Sequence, residues 1–401
     1  MAHADNLRRH FPASRLSTYL ATAGHGLLPD AAVQAMQSVL EKLLQEGRNQ
    51  HYTEEVQEAV QGVRQELASL FHVDAQNFAL MPGLSSAVHT VLYGLDLQPG
   101  DEILFHPALD KSVLTPLFAQ RQSRLLSLRM APGGVGSTDW SEVLQRCIHR
   151  KTRLIVWPQV SPRTGQTMEL DTVADLARHH GIPVLADGTF GAGAVQLDME
   201  KTAVDFYLVS GDRWLSGPDG AAALYIADDW LYRLRPGLAG KAALKESTAM
   251  DLGGAYLPVT GAGRFEGEVS DLLKWKGLQE SLHFLRVTAG WDYIFTRIQG
   301  LTAEILDALL DVNLAEILTP RELRAGMVSL QLPRASAEKL MENAANRKIA
   351  ICRYDGPDFS QQDTGRVQTH QVIQLSCGIF NHSDDVERAV RLLAASGSQD
   401  A

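Results

Sequence analysis

Three stretches in the middle of the chain decide the fold: TRLIVWPQVSPRTG at residues 152–165, IPVLADGTFGAGAVQLD at residues 182–198, and VDFYLVSGDRWLSGPDGAAALYI at residues 204–226. Each contains a short apolar run bounded by Gly, Pro or Asp, and an amphipathic helical pattern at 171–179 lies between the first two. Short buried strands that alternate with helices are typical of a mostly parallel sheet covered on both faces. These stretches therefore predict a three-layer α/β domain.

The hydrophobic pattern of the sequence changes along the chain. Further apolar runs at 78–81 and 102–105 extend the predicted sheet towards the N-terminus. From about Ser270, long helical patterns and two more apolar runs indicate a smaller α+β unit. We therefore predict three parts: an N-terminal segment at 1–30 that packs with the small domain, a large α/β domain at 31–263, and a small α+β domain at 264–401.

The composition excludes several classes of protein. The chain has 401 residues, 45% of them hydrophobic, and 37 Lys and Arg against 47 Asp and Glu, a net charge of −10. This balance argues against disorder and against nucleic acid or a membrane surface as the partner. The 3 cysteines are isolated, which indicates neither a disulfide framework nor a zinc site. We expect a cytoplasmic protein that acts on a small molecule and has no membrane-spanning segment.

Polar residues follow four of the predicted strands, where ligands bind in open parallel sheets. The loop after 78–81 opens a helix, so its free N–H groups and hydroxyls form a candidate anion cradle. The residues that these loops supply are Ser85, Ser86, Ser161, Thr164, Asp187, Thr189, Ser210, Asp212 and Arg213. Each loop alone is an ordinary feature, and their order and content together carry more weight.

Taken together, the three stretches resemble the core of class V aminotransferases and cysteine desulfurases, which are fold type I enzymes that use pyridoxal phosphate (PLP). Matching pieces extend outward to YLATAGHG at 19–26, ALMPGLSSAVHTVL at 79–92, GRFEGE at 263–268 and VIQLSCGIFNHSDDVERAV at 372–390. The resemblance covers nearly the whole chain. It implies a large domain with a mostly parallel seven-stranded sheet, a smaller α+β C-terminal domain, and a homodimer whose sites lie at the subunit interface.

The main departure from these relatives is at Arg213. In the relatives, a Ser-x-His-Lys segment supplies the lysine that forms a Schiff base with the cofactor, and here the segment is Ser210-Gly211-Asp212-Arg213. A guanidinium stays protonated in proteins and is a poor nucleophile, whereas a lysine can become a free amine. The resemblance thus implies that no covalent bond to PLP forms, so we expect a site without cofactor. Noncovalent PLP or pyridoxamine phosphate (PMP) is an alternative.

Three other positions also differ from the residues that the relatives have there. Asp110 stands where the relatives place a histidine over the cofactor ring, and Glu268 stands where a threonine reaches the phosphate of the neighbouring subunit. Gln374 stands where an arginine clamps the substrate carboxylate, so bidentate recognition is lost. His25 matches a segment on the substrate side and is a candidate substrate contact together with Gln374.

The residues that the resemblance retains are those of a pocket. Asp187 matches the partner of the pyridine nitrogen, and the remaining former cofactor positions are Ser85, Ser86, Ser161, Thr189 and Ser210. Four acids, Asp110, Asp187, Asp212 and Glu268, would then face Arg213. Crowded carboxylates raise one pKa and provide a general acid beside a general base.

These observations lead to one prediction and two alternatives. The prediction is a PLP-independent, cofactor-free enzyme that converts a neutral or cationic small molecule by acid/base chemistry, in specialised biosynthesis, with Asp187, Arg213, Asp110, Asp212 and Glu268 as catalytic residues. The alternatives are a non-catalytic pseudoenzyme or ligand-binding scaffold, and a lyase or transferase that holds PLP or PMP noncovalently. No metal site is expected, since a divalent cation among the acids is the weaker interpretation.

Overall fold

A computed structural model describes residues 2–132, 140–245, 250–251, 253–310, 316–354 and 370–397. The helices are α1 (Ala2–Arg9), α2 (Asp30–Glu46), α3 (Gln50–Phe71), α4 (Leu84–Gly94), α5 (Lys111–Arg124), α6 (Trp140–Cys147), α7 (Leu170–His179), α8 (Met199–Thr202), α9 (Asp228–Leu231), α10 (Leu272–Phe284), α11 (Trp291–Leu309), α12 (Arg334–Asn346) and α13 (Ser383–Gly397). The strands are β1 (Thr18–Leu20), β2 (Phe78–Met81), β3 (Glu102–Phe105), β4 (Ser127–Met130), β5 (Thr152–Pro158), β6 (Val184–Asp187), β7 (Phe206–Ser210), β8 (Ala222–Ile226), β9 (Glu316–Ile317), β10 (Met327–Pro333), β11 (Ile349–Arg353) and β12 (His370–Ser376).

The larger sheet has seven strands in the order β2-β8-β7-β6-β5-β3-β4. Strand β8 runs antiparallel to both of its neighbours, and the other pairings are parallel. The mostly parallel seven-stranded sheet predicted from the sequence is thereby confirmed.

The central strands are apolar because helices cover both faces of the sheet. All residues of β5 except Arg153 are buried. One face packs against α3, α7 and α10, and the opposite face packs against α4 and α5. The two apolar cores on either side of the sheet make the three-layer architecture.

The smaller sheet has the order β1-β11-β12-β10-β9. Strand β1, near the N-terminus, pairs in parallel with β11, so that Thr18 lies opposite Ile349. Helix α10 lies after residue 264, yet it packs against α2 and α3 of the large domain. The domain limits at residues 30 and 263 stay predictions. Within the described part of the chain, no helix is both long enough and apolar enough to cross a membrane.

His106, directly after β3, is a buried histidine that the sequence did not single out. Its ring contacts the edges of Trp140 and Trp157 at centroid distances of 4.8 and 4.7 Å, and its Nδ1 accepts a hydrogen bond from Ala108 N at 3.0 Å. Burial lowers the pKa of His106 to about 3. The ring is therefore neutral in the folded protein and helps to fix the loop that leads to Asp110.

This histidine makes folding stability depend on pH. Because its unfolded pKa is about 6.5, unfolding takes up a proton below that pH, and stability falls as the pH drops from about 6.5 towards 3 by up to ~1.4 kcal/mol per pH unit. We expect His106→Asn, which keeps an acceptor for Ala108 N, to flatten this slope in urea unfolding measured across that range. The exposed His180→Asn is the control, and equal slopes in the two variants would contradict the assignment.

Candidate active site

The candidate active site lies at the carboxyl edge of the seven-stranded sheet. Asp187 ends β6 and Ser210 ends β7, so both lie at the edge where ligands bind in this class of sheet. A loop from the N-terminal segment covers this edge, and Gly26 N donates to Asp212 O at 2.7 Å. A Cβ at Gly26 would lie 1.9 Å from Arg213 O, so only glycine permits this close approach.

Asp187 is the buried carboxylate at the base of the site. Its Oδ1 accepts hydrogen bonds from Thr189 N at 3.0 Å and Thr189 Oγ1 at 2.5 Å, and its Oδ2 accepts one from Asp110 N at 3.2 Å. Burial raises the pKa of Asp187, the negative charge of Asp110 raises it further, and the hydrogen bonds from Thr189 partly offset both effects. A buried carboxyl group in this state is suited to pair with a cationic group of a ligand.

Asp110 is the N-cap of α5, so a hydrogen bond to the helix fixes its side chain. Its Oδ1 accepts from Ser112 N at 2.8 Å, which satisfies one free N–H of the first helical turn. Its Oδ2 lies 3.7 Å from an Nη of Arg213. The prediction that Asp110, Asp187 and Arg213 lie together therefore agrees with their positions, and Asp110 has a structural role as well.

Arg213 is held by three groups. Its guanidinium lies over the ring of Phe190, 4.2 Å from the ring centroid, with Asp110 on one side. Its Nη1 donates to Ala23 O in the covering loop. Its Nε is buried and has no hydrogen-bond partner among the described residues. The Arg213 side chain thus joins the covering loop to the start of α5.

Asp212 and His25 lie beside Arg213. Ser210 Oγ donates to Asp212 Oδ1 at 2.5 Å, and His25 Nδ1 is 4.0 Å from Asp212 Oδ2. His25 is exposed and also lies 3.5 Å from Asp219. Among the described residues, the single group whose ligand atoms lie close enough together to share a metal ion is formed by His25, Asp212 and Asp219. Exposed groups of this kind are common without a metal ion. This group carries no metal assignment.

The N-terminus of α4 supplies hydrogen-bond donors to the same region. No side chain caps this helix, and the space around its N-cap Gly83 is open, since a Cβ at that position would meet no heavy atom within 4 Å. Ser85 Oγ donates to Ser112 O at 2.9 Å, which ties α4 to the start of α5 next to Asp110. The free N–H groups of the first turn, with Ser86 beside them, form a donor set of the kind that binds phosphate.

Gln374 is turned into the wall of the site. Its Nε2 donates to Pro162 O at 2.6 Å and to Ser329 Oγ at 3.0 Å. Ser161 is buried and its Oγ accepts from Thr164 N at 3.3 Å. Because both side chains are used in these contacts, Ser161 and Gln374 shape the wall, and the amide nitrogen of Gln374 is already occupied by the protein.

A cavity of about 400 Å³ lies at this edge of the sheet. It is lined by Ala23, Gly24, His25, Leu109, Asp110, Lys111, Ser112, Phe190, Asp212, Arg213, Cys352, Arg353, Tyr354 and Gln374. Two acids and three cations are in this set. Asp187, which accepts from Asp110 N, and Glu268, which is exposed, are not lining residues. A single chain therefore does not bring the four predicted acids around Arg213. The predicted cofactor positions outside the lining are Ser85, Ser86, Ser161, Thr189 and Ser210.

Sequence reasoning did not single out four residues of this cavity, which are Ser112, Phe190, Arg353 and Tyr354. Phe190 follows Asp187-Gly188-Thr189 directly, and an aromatic residue in the loop after a central strand is a signal that could have been noticed. Arg353 ends β11 in the small sheet, and nothing in the sequence places that strand end beside Arg213.

Comparison with known proteins identifies the class to which this fold and site belong. The family described as Aminotransferase class-V matches residues 18–389. Isopenicillin N epimerase from Streptomyces clavuligerus is 28% identical over 401 aligned positions, covering 94% of each chain. Cysteine desulfurase from Serratia proteamaculans is 25% identical and covers 84% of this chain and 82% of its own.

Solved structures share the fold at lower identity. One is described as a lysine-to-alanine mutant of C-DES with glycine covalently linked to the PLP cofactor. It has a TM-score of 0.87 at 23% identity and covers 96% of this chain and 98% of its own. The fold is that of the fold type I PLP-dependent transferases.

The chain belongs to the class V aminotransferase family. The expectation of a site without cofactor is wrong for this family, because a protein of the same fold holds PLP even as a lysine-to-alanine mutant. The expectation rested on the missing lysine amine and on the changes at Asp110, Glu268 and Gln374, whereas a cofactor of this type is also held by its ring nitrogen and its phosphate.

Proposed function

We propose that the protein is a PLP- or PMP-dependent enzyme that holds its cofactor without a covalent bond and acts on a small substrate with an amino group. The observation that carries the proposal is Asp187, a buried carboxylate at the end of a central strand, connected through Asp110 and Ser112 to the uncapped helix α4. Membership of the class V family supports it independently.

Groups next to the cavity would hold the two ends of such a cofactor. Asp187 would hold the ring nitrogen, and the first turn of α4 with Ser85 and Ser86 would hold the phosphate. Ser210 donates its hydroxyl to Asp212, so it is not assigned to the phosphate. Such a cofactor supplies an electron sink for carbanions at the substrate, and this chain supplies binding, orientation and proton transfer.

The residues of this chain have distinct roles in the proposal. Arg213, fixed over Phe190, holds the covering loop closed through Ala23 O and so limits the access of water. Asp110 and Asp212 are the carboxylates that face the cavity and can move protons there. Because the amide nitrogen of Gln374 is occupied, it cannot clamp a substrate carboxylate, which supports an amine or another neutral or cationic substrate. The positive charges of Lys111 and Arg353, which also line the cavity, act against a cationic substrate.

Two further parts of the proposal concern the assembly and the compartment. We propose a homodimer in which Glu268, exposed just beyond the buried Glu266, reaches the partner's site. The cysteines Cys147 and Cys377 are free, which supports a reducing compartment such as the cytoplasm.

The proposal is tested with the wild-type protein, PLP and PMP. We expect saturable binding of both in equilibrium dialysis and a yellow PLP complex that loses its colour on dialysis, because Arg213 offers no free amine. Borohydride treatment followed by mass spectrometry should give no stable adduct. An adduct on Lys111, the lysine lining the cavity, would contradict noncovalent binding, and the absence of any uptake would contradict the cofactor assignment.

A second candidate is a non-catalytic ligand-binding scaffold. The contacts of Arg213 with Asp110, Phe190 and Ala23 favour it, since such a network can fill part of a disused site. Binding of cofactor and amine without any turnover of the amine would distinguish this scaffold from the enzyme.

A further inference from the structure

A second cavity lies at the opposite edge of the seven-stranded sheet from the candidate active site. It has a volume of about 900 Å³ and lies where β2 and β7 begin and β8 ends. Helices α3, α7 and α8 form its sides. We call it the lower-edge cavity, and it shares no lining residue with the candidate active site.

The lower-edge cavity is strongly acidic. Its lining includes the acidic residues Asp74, Glu200, Asp205, Asp228 and Asp229. Asp205 accepts from Val184 N and Trp230 Nε1, so the other four carry the charge that is available to a ligand. Its basic residues are Arg178 and His72, and Arg178 already donates to Asp175 Oδ1 at 2.8 Å and to Ala203 O at 3.2 Å. The charge that remains favours a cationic ligand.

Two almost fully buried polar side chains open into this cavity without complete hydrogen bonding. Tyr225 is 7% exposed, and its hydroxyl has no hydrogen-bond partner among the described residues. Asn77 is 3% exposed, and its Nδ2 donates to Ile226 O and to Asp228 Oδ1 while its Oδ1 accepts from none of the described groups. Both oxygens open into the cavity without a partner among the described residues, so each can accept a hydrogen bond from a donor that a ligand supplies.

The phenol of Tyr225 stays neutral over the physiological range. Burial raises its pKa to about 12, and the charges of Asp228, Asp205 and Glu200 act in the same direction. A neutral hydroxyl among carboxylates accepts a hydrogen bond from an ammonium group without repelling it.

The arrangement suits an organic cation better than a metal ion. Across the described parts of the chain, His25, Asp212 and Asp219 are the single group whose ligand atoms converge within metal-binding distance, and they lie at the other edge. The carboxylates of the lower-edge cavity are instead spread around an apolar wall that includes Val73, Met199 and Val204. Separated charges around an apolar wall match ammonium groups joined by methylene chains.

We propose that the lower-edge cavity binds an aliphatic di- or polyamine, with its ammonium groups against Asp228 and Asp229 and one N–H donating to the Tyr225 hydroxyl. Such binding is separate from the candidate active site and does not depend on its cofactor.

Isothermal titration of the full-length chain with spermidine tests this proposal at fixed ionic strength. We expect one saturable site per chain, with affinity lowered about tenfold in Tyr225→Phe and in Asp229→Asn, because each removes one partner of the amine. Asp171→Asn, which removes an exposed charge outside the cavity, is the matched control and should bind like the wild type. Equal concentrations of MgCl₂ should give no saturable heat.

Several outcomes would overturn the proposal. Unsaturable binding, equal affinity in Asp229→Asn and Asp171→Asn, or saturable binding of Mg²⁺ at the same site would each do so. Thermal unfolding of every variant shows whether it is folded, and Asp229→Asn, an exposed substitution, keeps the test decisive if Tyr225→Phe does not fold.

Discussion

Arg213→Lys is expected to convert noncovalent PLP binding into a covalent bond to the protein. Position 213 follows the central strand β7, and its side chain lies over Phe190 between Asp110 and the covering loop. A lysine at this position can give up its proton and attack an aldehyde, which a guanidinium cannot do. The substitution therefore tests the equivalence of Arg213 with the lysine of the relatives.

The measurement is borohydride reduction of the PLP complex followed by peptide mapping. We expect an adduct on the peptide that contains position 213 in Arg213→Lys, and none in the wild type. Arg353→Lys places a lysine at the wall of the same cavity and is the matched control, in which no adduct is expected. An adduct that forms equally in both variants, or a variant at position 213 that binds PLP without an adduct, would contradict the equivalence.

The large domain could be predicted because its strands are buried on both faces. Strands β2, β3, β5, β6, β7 and β8 all appear in the sequence as apolar runs bounded by turn residues. Strand β4 did not, because it is an edge strand whose residues, Ser127–Met130, are all at least partly exposed. Its sequence therefore lacks the apolar run on which the prediction relied.

The candidate site could be predicted only in part. Asp110, Asp187, Asp212 and Arg213 lie together because they follow strands or cap a helix at one edge of one sheet, and sequence order is sufficient to place such residues. Arg353 comes from the other sheet, so its position depends on how the two sheets pack. The sequence also did not show that Asp110 caps α5 or that Gln374 faces Pro162, since side-chain direction is set by tertiary contacts.

Asp187→Asn is expected to weaken PLP and PMP binding by about 10- to 100-fold while leaving the fold intact. The substitution keeps the size of the side chain but removes its charge. A charge-assisted hydrogen bond to a protonated ring nitrogen is worth about 1.5–3 kcal/mol, which corresponds to that range in Kd. Equilibrium dialysis of both cofactors against wild type and variant measures the effect.

The pH dependence of folding stability tests the raised pKa of Asp187 independently of cofactor binding. Because burial and Asp110 raise the folded pKa of Asp187 above the unfolded value of about 3.9, the protonated form stabilises the fold at low pH, and this stability is lost as the pH rises through the folded pKa. Asp187→Asn should remove this loss in urea unfolding of the cofactor-free protein.

Asp205→Asn is the matched control for both measurements. Burial raises the pKa of Asp205 as it does that of Asp187, although Asp205 is only partly buried. Asp205 lies at the opposite edge of the seven-stranded sheet, where it accepts from Val184 N and Trp230 Nε1. It should alter the pH dependence of stability in the same direction and leave the affinity for PLP unchanged. Equal loss of affinity in the two variants would mean that Asp187 acts through the fold, whereas loss confined to Asp187→Asn identifies its carboxylate as the group that holds the cofactor.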